Sequence, residues 1–471
     1  MTRETRPPAP SDRARPPVGS AAGCGTAGGD TNLLVVDLDA DLLRTDLASE
    51  YFWAGLSKIW GDWAGPAARP SAHSQTDGRV NAALLPLRDD TLRAVHDWRQ
   101  AGGRVVLVTP RSDGVAEHIA DHLGLFDGVV TSAGPGQGRI AAQLGAGPFF
   151  GLGAASGQPR PAEASAFDHI PRRRPLWGGL DPAQILRAIR PHQWLKNLLI
   201  FIPILAAHRF APDALLPAVA VFVAFCLLAS GTYLLNDLLD LEADRAHPRK
   251  RHRPFASGRL SPRLGGLLLV AMILAGATIA GLLGPYVLAT LSVYLVGTVA
   301  YSLALKRLVI IDICTLAALY VLRIVAGGVA TATPLSIWLI MFALFFFFSL
   351  AAVKRQGELV DLPARGLDTV VGRGYAAGDL TVITMLATSS GFVSALVFAL
   401  FVNADATSQH YANPGALWGI VPILLYWVSR IVFLTQRGMM HDDPLIFAVR
   451  DRTSQLCLLL IVALATGASV S

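Results

Sequence analysis

Charged residues are scarce in this 471-residue chain, 16% Asp, Glu, Lys and Arg, where a soluble globular protein carries about a quarter. Lysine is scarcer still, five residues against 35 arginines. Cysteine is limited to Cys24, Cys226, Cys314 and Cys457, with no CxxC or Cys/His spacing, which excludes a disulfide framework. The stretch Met1–Gly29 lacks any apolar core segment, so it reads as a disordered tail and neither as a signal peptide nor as an anchor. Apolar residues are abundant instead, 52% of the chain at a mean hydropathy of +0.46, and they are unevenly spread. Residues 1–180 resemble an ordinary water-soluble chain. Residues 195–471 consist largely of apolar runs of about 18–24 residues, the length a helix needs to cross about 30 Å of hydrocarbon. A single soluble domain is excluded. The chain reads as a polytopic membrane protein with a soluble N-terminal part.

Within that soluble part, Leu33–Asp39 (LLVVDLD) is a buried strand ending in two carboxylates. Arg88–Gly103 has helical spacing and stops at Gly102-Gly103. Arg104–Thr109 is a second strand, Val115–Leu123 a second helix and Gly128–Thr131 a third strand. This alternation predicts a small doubly wound α/β (Rossmann-like) domain over residues 30–135. Asp37, Asp39 and Thr109 then lie beyond the carboxyl ends of its strands, where such sheets bind ligands. Residues 136–180, rich in Gly, Ala and Pro and ending with Arg172-Arg173-Arg174, read as a linker or a collapsed remnant of the domain.

DLDADLLRTD followed by VVLVTPRSD resembles the haloacid dehalogenase (HAD-like) phosphatase superfamily. The resemblance implies Asp37 as nucleophile, Asp39 as general acid/base and Thr109 as a phosphate-binding hydroxyl. Three departures point to a degenerate, non-catalytic copy. Asp41 replaces the usual Thr, no lysine occurs between Lys58 and Lys196, and Glu163 and Asp168 are the only acids between Val129 and Leu180. Without a cation and a metal, phosphoryl transfer has little electrostatic stabilisation. Arg139 is a weak stand-in for the missing lysine.

Nine apolar segments follow Leu180, at about 195–208, 213–235, 264–283, 286–304, 309–330, 335–353, 380–402, 415–435 and 454–470. Pro203 interrupts the first. The fold class expected for 181–471 is therefore an all-α membrane bundle of about nine spans. Loops 237–263, 305–308, 354–379 and 436–453 are basic, whereas the opposite loops carry Arg209 alone. The positive-inside rule puts the basic loops and the soluble domain in the cytoplasm, on the inner-membrane side. Anion binding would produce the same pattern.

The segment Asn236-Asp237-Leu-Leu-Asp240-Leu-Glu-Ala-Asp244 is NDxxDxxxD at the end of the second span. On a helix, Asp237, Asp240 and Asp244 fall at i, i+3 and i+7 and share one face. Acids massed at a membrane boundary are costly to desolvate. Hard cations relieve the cost, and magnesium is usually held by a few carboxylates plus substrate phosphates. A solvated acidic helix end is the bland alternative; the basic HPRKRHRP run that follows argues against it.

NDLLDLEADRAHPRKRHRPFASG closely resembles the first aspartate motif of the UbiA superfamily of intramembrane prenyltransferases, and the resemblance spans about residues 187–455. Tyr301–Lys306 matches its YxxxxK element. Asp312 begins its second acidic motif, with Leu316 in place of the partner acid. RPHQWLKN (190–197), LKR (305–307), VKRQGEL (353–359) and GMMHDDPLIFAVRDR (438–452) look more like its decaprenyl-phosphate phosphoribosyltransferase branch. That branch moves 5-phosphoribose from phosphoribosyl diphosphate to a polyprenyl phosphate. The resemblance implies a magnesium-dependent transferase in which Asp237, Asp240 and Asp244 hold Mg2+, with Asp312 and Lys306 also catalytic. It implies substrate-binding roles for Lys196, Asn236, Lys250, Arg253, Tyr301, Arg307, Arg323, Lys354 and Arg355.

Lysine placement points the same way. Lys196, Lys250, Lys306 and Lys354 all fall at the basic ends of spans, where each alone is an ordinary interfacial anchor. Arg323, inside a span, is a functional-site candidate by default, paired either with a substrate phosphate or with a buried carboxylate. His247 and His252 read as solvated loop residues. The expected partners are a lipid substrate and a phosphorylated co-substrate, with no nucleic acid. The alternative is prenyl transfer from a polyprenyl diphosphate to an aromatic or other small acceptor, with the N-terminal domain an active phosphatase or a regulatory module. A transporter of anionic metabolites predicts polar residues on both membrane sides and internal repeats, and the short, nearly uncharged opposite loops disfavour it.

Overall fold

The structure, a computed structural model, describes residues 32–63, 80–109, 114–131, 144, 149–152, 158–162, 181–363, 366, 368–370, 373–404, 411, 413–440 and 443–470. The expected tail 1–29, Arg139, Arg172–Arg174, and His441 with Asp442 lie outside those residues. The described chain divides into two compact units. One comprises residues up to 55, 80–162 and 241–263; the other comprises 56–63, 181–240 and 264–470, so the helix over 47–63 begins in the first and ends in the second.

The first unit is the expected α/β domain. In order it runs β1 (Leu33–Asp37), a π-helical turn (Leu38–Leu42), α1 (Leu47–Trp63), α2 (Asp89–Gln100), β2 (Arg104–Thr109), α3 (Val115–Leu123), β3 (Gly128–Thr131), β4 (Phe149–Leu152) and β5 (Pro159–Ala162). The sheet order is β3-β2-β1-β4-β5, parallel except for β5. Leu33 pairs with Arg104, Asp37 with Val108 and Thr109 with Thr131. The strands read as continuous apolar runs because both faces are buried. Leu34, Val36, Val105 and Leu107 pack with Val95 and Ile119 on one face. Val35, Val106, Val108 and Val130 pack with Phe149 on the other. Residues 149–152 and 159–162, read from sequence as linker, add two strands to this sheet. Their Gly/Pro content hid them; Phe149 and Leu152 are their buried anchors.

The second unit is helical. It comprises α4 (Pro182–Ile189), a 3-10 segment (Pro191–Phe201), α5 (Ile202–Ala206), α6 (Pro212–Leu239), α8 (Pro262–Leu283), α9 (Pro285–Leu303), α10 (Ile311–Ala330), α11 (Ile337–Val360), α12 (Leu380–Val402), α13 (Ile420–Gln436), α14 (Pro444–Arg450) and α15 (Arg452–Val470). The short helix α7 (Leu241–Ala246) follows α6 in sequence but belongs to the first unit. Among the described residues, seven helices are long and apolar enough to cross a membrane, and residues 452–468 form a shorter apolar one. The chain is a multi-pass membrane protein.

The first of the nine expected spans is not a regular α-helix: residues 191–201 are 3-10 and α5 is five residues long. Tertiary packing explains the departure. A Cβ on Gly327 of α10 would lie 2.0 Å from the Ile200 carbonyl oxygen, so the segment's backbone rests directly on α10 where no side chain intervenes. Gly327→Ala is expected to push the two apart and cost about 1–3 kcal/mol, read as a lower unfolding temperature in detergent.

Candidate active site

The sequence places three acids on one helical face, but the structure does not. Helix α6 stops at Leu239, and Asp240 is its C-cap, with φ −94°, ψ 13° and its N–H donating to the Asn236 carbonyl at 2.9 Å. Asp237 lies inside α6, whereas Asp244 lies in α7, in the other compact unit. A seven-residue register requires an unbroken helix, and this one ends after Asp237. Among the described residues no three His, Cys, Asp or Glu side chains group as metal ligands.

What the structure brings together in the membrane unit is acids with cations. Asp237 is 3% exposed, and both of its carboxylate oxygens accept from Arg190 Nη2, the longer bond at 2.7 Å. The Arg190 guanidinium also lies over the Tyr233 ring, 5.2 Å from its centroid. Arg190 is held at φ 53°, between α4 and Pro191. A non-glycine residue in this region, directly before proline, is strained, and the strain is stored where the guanidinium meets Asp237. Sequence reasoning quoted Arg190 only as the start of RPHQWLKN; a basic residue before proline carries no signal of strain.

Asp240 is exposed. Its charge acts on Lys306 and Arg307 of the 3-10 turn Leu305–Arg307. Burial pulls both cations below their ordinary pKa, and Asp240 offsets part of that cost. Arg307 Nη1 is buried and has no hydrogen-bond partner among the described residues. A guanidinium N–H left so is costly unless an anion arrives.

Lys196 and Lys354 share a carboxylate that the sequence reading passed over, Asp443, at 2.7 and 3.4 Å. Lys354 and Asp443 line a narrow pocket together with Leu316, Tyr320, Leu350 and Leu445. Burial opposes ionisation of Asp443, but Lys354 and Lys196 outweigh it and hold the carboxyl at about 2. The folded value lies below the unfolded one of about 3.9, so this contribution to stability is present above about pH 4 and disappears as pH falls toward 2. The stability gap between wild type and Asp443→Asn is expected to be about 2 kcal/mol, flat from pH 5 to 8 and closing below pH 4 in thermal unfolding.

Several expected substrate residues are internal. Asp312 is wholly buried and accepts from Arg355 Nε and the Tyr375 hydroxyl. Arg355, 1% exposed, also donates to Glu358 and to Tyr301 Oη at 2.6 and 2.9 Å. Arg373 bonds Glu358 at 3.0 Å and Tyr301 at 3.2 Å. Asp312, Arg355 and Tyr301 thus form a buried network that fixes the start of α10 and the end of α11. Arg323 is buried and bonded to neutral acceptors: Asn197 Oδ1 at 2.9 Å, the Leu319 carbonyl at 2.6 Å and Tyr294 Oη at 2.7 Å. It is stacked against the Tyr294 and Tyr320 rings. Of the two expected partners, a substrate phosphate or a buried carboxylate, the carboxylate's place is taken by these dipoles and π faces.

In the first unit, Asp244 is 1% exposed and accepts from Arg253 Nη1 at 2.7 Å, with Lys250 Nζ at 3.9 Å. Asp37 Oδ1 accepts from the backbone N–H groups of Asp39 and Ala40 at 2.9 and 2.8 Å, and Asp39 Oδ1 from that of Leu47 at 2.8 Å. Thr109 is fully buried. The two carboxylates help shape the turn and the start of α1.

A helical membrane unit with seven long apolar helices among the described residues, whose ends carry acids compensated by arginine and lysine, defines a multi-pass membrane protein. Residues 198–439 match the UbiA prenyltransferase family. The protein y4nM of Sinorhizobium fredii is 34% identical over 456 residues, 89% of this chain and 88% of that protein. That span necessarily includes most of residues 1–180. The decaprenyl-phosphate phosphoribosyltransferase of Mycolicibacterium smegmatis is 39% identical over 283 residues, 58% of this chain and 89% of that one. The solved UbiA homolog from Archaeoglobus fulgidus bound to GPP and Mg2+ is 16% identical and covers 60% of this chain and 99% of its own, with a TM-score of 0.46. The chain belongs to the UbiA prenyltransferase family and is an enzyme, a transferase of that superfamily.

Proposed function

We propose that the membrane unit breaks a diphosphate donor and joins the group it carries to a lipid acceptor. The best-supported pair is 5-phosphoribose from phosphoribosyl diphosphate and a polyprenyl phosphate. The observation that carries the reading is the end of α6, where Asp237 and Asp240 lie among Arg190, Lys306 and Arg307, with one buried Arg307 donor unsatisfied. The relatives named decaprenyl-phosphate phosphoribosyltransferase support the donor and acceptor. The NDxxDxxxD and YxxxxK motifs support the site, which we place on the cytoplasmic side of the inner membrane.

The oxygens of Asp237 and Asp240 are the hard donors that Mg2+ takes, and two carboxylates plus substrate phosphates suffice for that ion. Mg2+, when bound there, supplies charge neutralisation for the diphosphate. Arg190 holds the Asp237 carboxylate in place. Lys306 and Arg307 receive phosphate oxygens and stabilise charge on the departing diphosphate. Lys196 and Lys354 bind the acceptor phosphate beside the apolar pocket, which excludes water from the cation-like sugar carbon. An acceptor phosphate oxygen then attacks that carbon and needs no strong base. The N-terminal unit we read as a degenerate HAD-like domain without phosphatase activity, because it has no lysine between Lys58 and Lys196 and lacks that superfamily's late acidic pair.

Purified protein with Mg2+, labelled phosphoribosyl diphosphate and a polyprenyl phosphate is expected to yield a labelled phosphoribosyl lipid, and chelation by EDTA to abolish it. A parallel reaction with a prenyl diphosphate and an aromatic acid is expected to give no product. The reverse outcome would assign the chain to prenyl transfer.

A further inference from the structure

The N-terminal α/β domain grips a stretch that follows α6 in the chain. Residues 241–263 begin one residue after Asp240 and belong to the same compact unit as the sheet. Arg245 Nη1 and Nη2 make a two-pronged pair with Glu50 of α1 at 2.9 and 2.8 Å, with 7% and 3% of the two side chains exposed. The remaining donor, Arg245 Nε, bonds the Ala256 carbonyl at 3.1 Å, so one guanidinium ties both halves of the stretch to the domain. The Thr45 hydroxyl fixes Glu50 from behind at 2.6 Å. Further along, Arg263 pairs with Asp46 at 2.8 Å. Gly258, at φ +69°, passes so close that a Cβ would lie 2.7 Å from Arg44 Cβ and 3.0 Å from Pro86 Cβ. Phe255, Ala256 and Leu260 are buried.

A desolvated, bidentate Arg–carboxylate pair fixes geometry as well as contributing energy. The stretch it fixes carries Asp244, Lys250 and Arg253. We propose that the N-terminal domain is a clamp for this stretch and that Glu50 and Arg245 are positioning residues of the transferase. They hold Lys250 and Arg253 in one conformation, and the transferase reading makes those cations binding groups for phosphate. The proposal rests on the transferase reading only for its catalytic consequence. The grip itself stands on the contacts above and accounts for a phosphatase-like domain whose acids serve its own backbone.

The test uses full-length protein in lipid nanodiscs and the variants Glu50→Ala, Glu50→Gln, Arg245→Ala and Arg245→Lys. Two quantities are read: the rate of trypsin cleavage after Arg249, Lys250 and Arg251, and kcat with KM for phosphoribosyl diphosphate. The alanine variants are expected to speed cleavage at least tenfold. Misplacement of binding groups can cost about a hundredfold, so KM is expected to rise by up to that factor while kcat falls much less. Glu50→Gln and Arg245→Lys, which retain part of the contact, are expected to recover part of both effects, and they decide the matter should an alanine variant fail to fold. Unchanged cleavage in every variant overturns the clamp. Faster cleavage at wild-type KM overturns the positioning role. An inactive wild type would refute the transferase reading instead, and the cleavage rates would still decide the clamp.

Discussion

Asp237→Ala is expected to lower transfer by about three orders of magnitude, the scale on which removal of transition-state electrostatics is felt. The substitution removes an oxygen donor for the cation and leaves Arg190, held at φ 53°, without its carboxylate. The guanidinium would then compete for the donor phosphates in the wrong place. Steady-state assays should show the loss in kcat, with the variant still monodisperse in detergent, since most of α6 packs through apolar residues such as Val221, Phe225 and Leu228. Asp240→Ala is expected to fall similarly. Activity near wild type in both variants would refute the cation site.

The second large effect concerns stability. Asp312→Ala removes a wholly buried carboxylate and leaves Arg355, also buried, with a reduced set of acceptors. Breaking one side of a buried pair costs about 3–5 kcal/mol. Tyr375 loses the acceptor of its hydroxyl, and that same hydroxyl receives the Ile310 N–H at 2.9 Å, where Ile310 sits at φ 69°. A β-branched residue in that conformation persists only where its surroundings hold it. Denaturation in detergent should show the loss. Abolished transfer with unchanged stability would place Asp312 in the chemistry itself.

Much of the fold was legible because the signals were local and physical. LLVVDLD reads as a buried strand; Leu33–Asp37 is one, while Leu38 and Asp39 enter the π-helical turn. Apolar runs of about twenty residues read as membrane helices. The features that escaped are non-local. Strands β4 and β5 are short and rich in Gly and Pro, and only pairing with β1 makes them strands. The 3-10 form of residues 191–201 depends on Gly327, more than a hundred residues away in sequence. Spacing gave the register of Asp237, Asp240 and Asp244 on an unbroken helix, but spacing cannot show that the helix ends at Leu239. At the site, acids with motif spacing were legible. Their counter-ions were not, because Arg190, Asp443 and Glu50 owe their roles to contacts made across 47, 247 and 195 residues. Arg323 carried the default reading of an intramembrane cation, and Tyr294 and Asn197 answered it with neutral partners that no charge pattern reveals.

The most direct measurement is equilibrium binding of labelled phosphoribosyl diphosphate to the full chain in nanodiscs, first with Mg2+ and then after chelation. The account predicts saturable binding that chelation abolishes and that a variant lacking both Asp237 and Asp240 cannot recover with excess Mg2+. Binding that survives chelation, or is unchanged in that double variant, would contradict it.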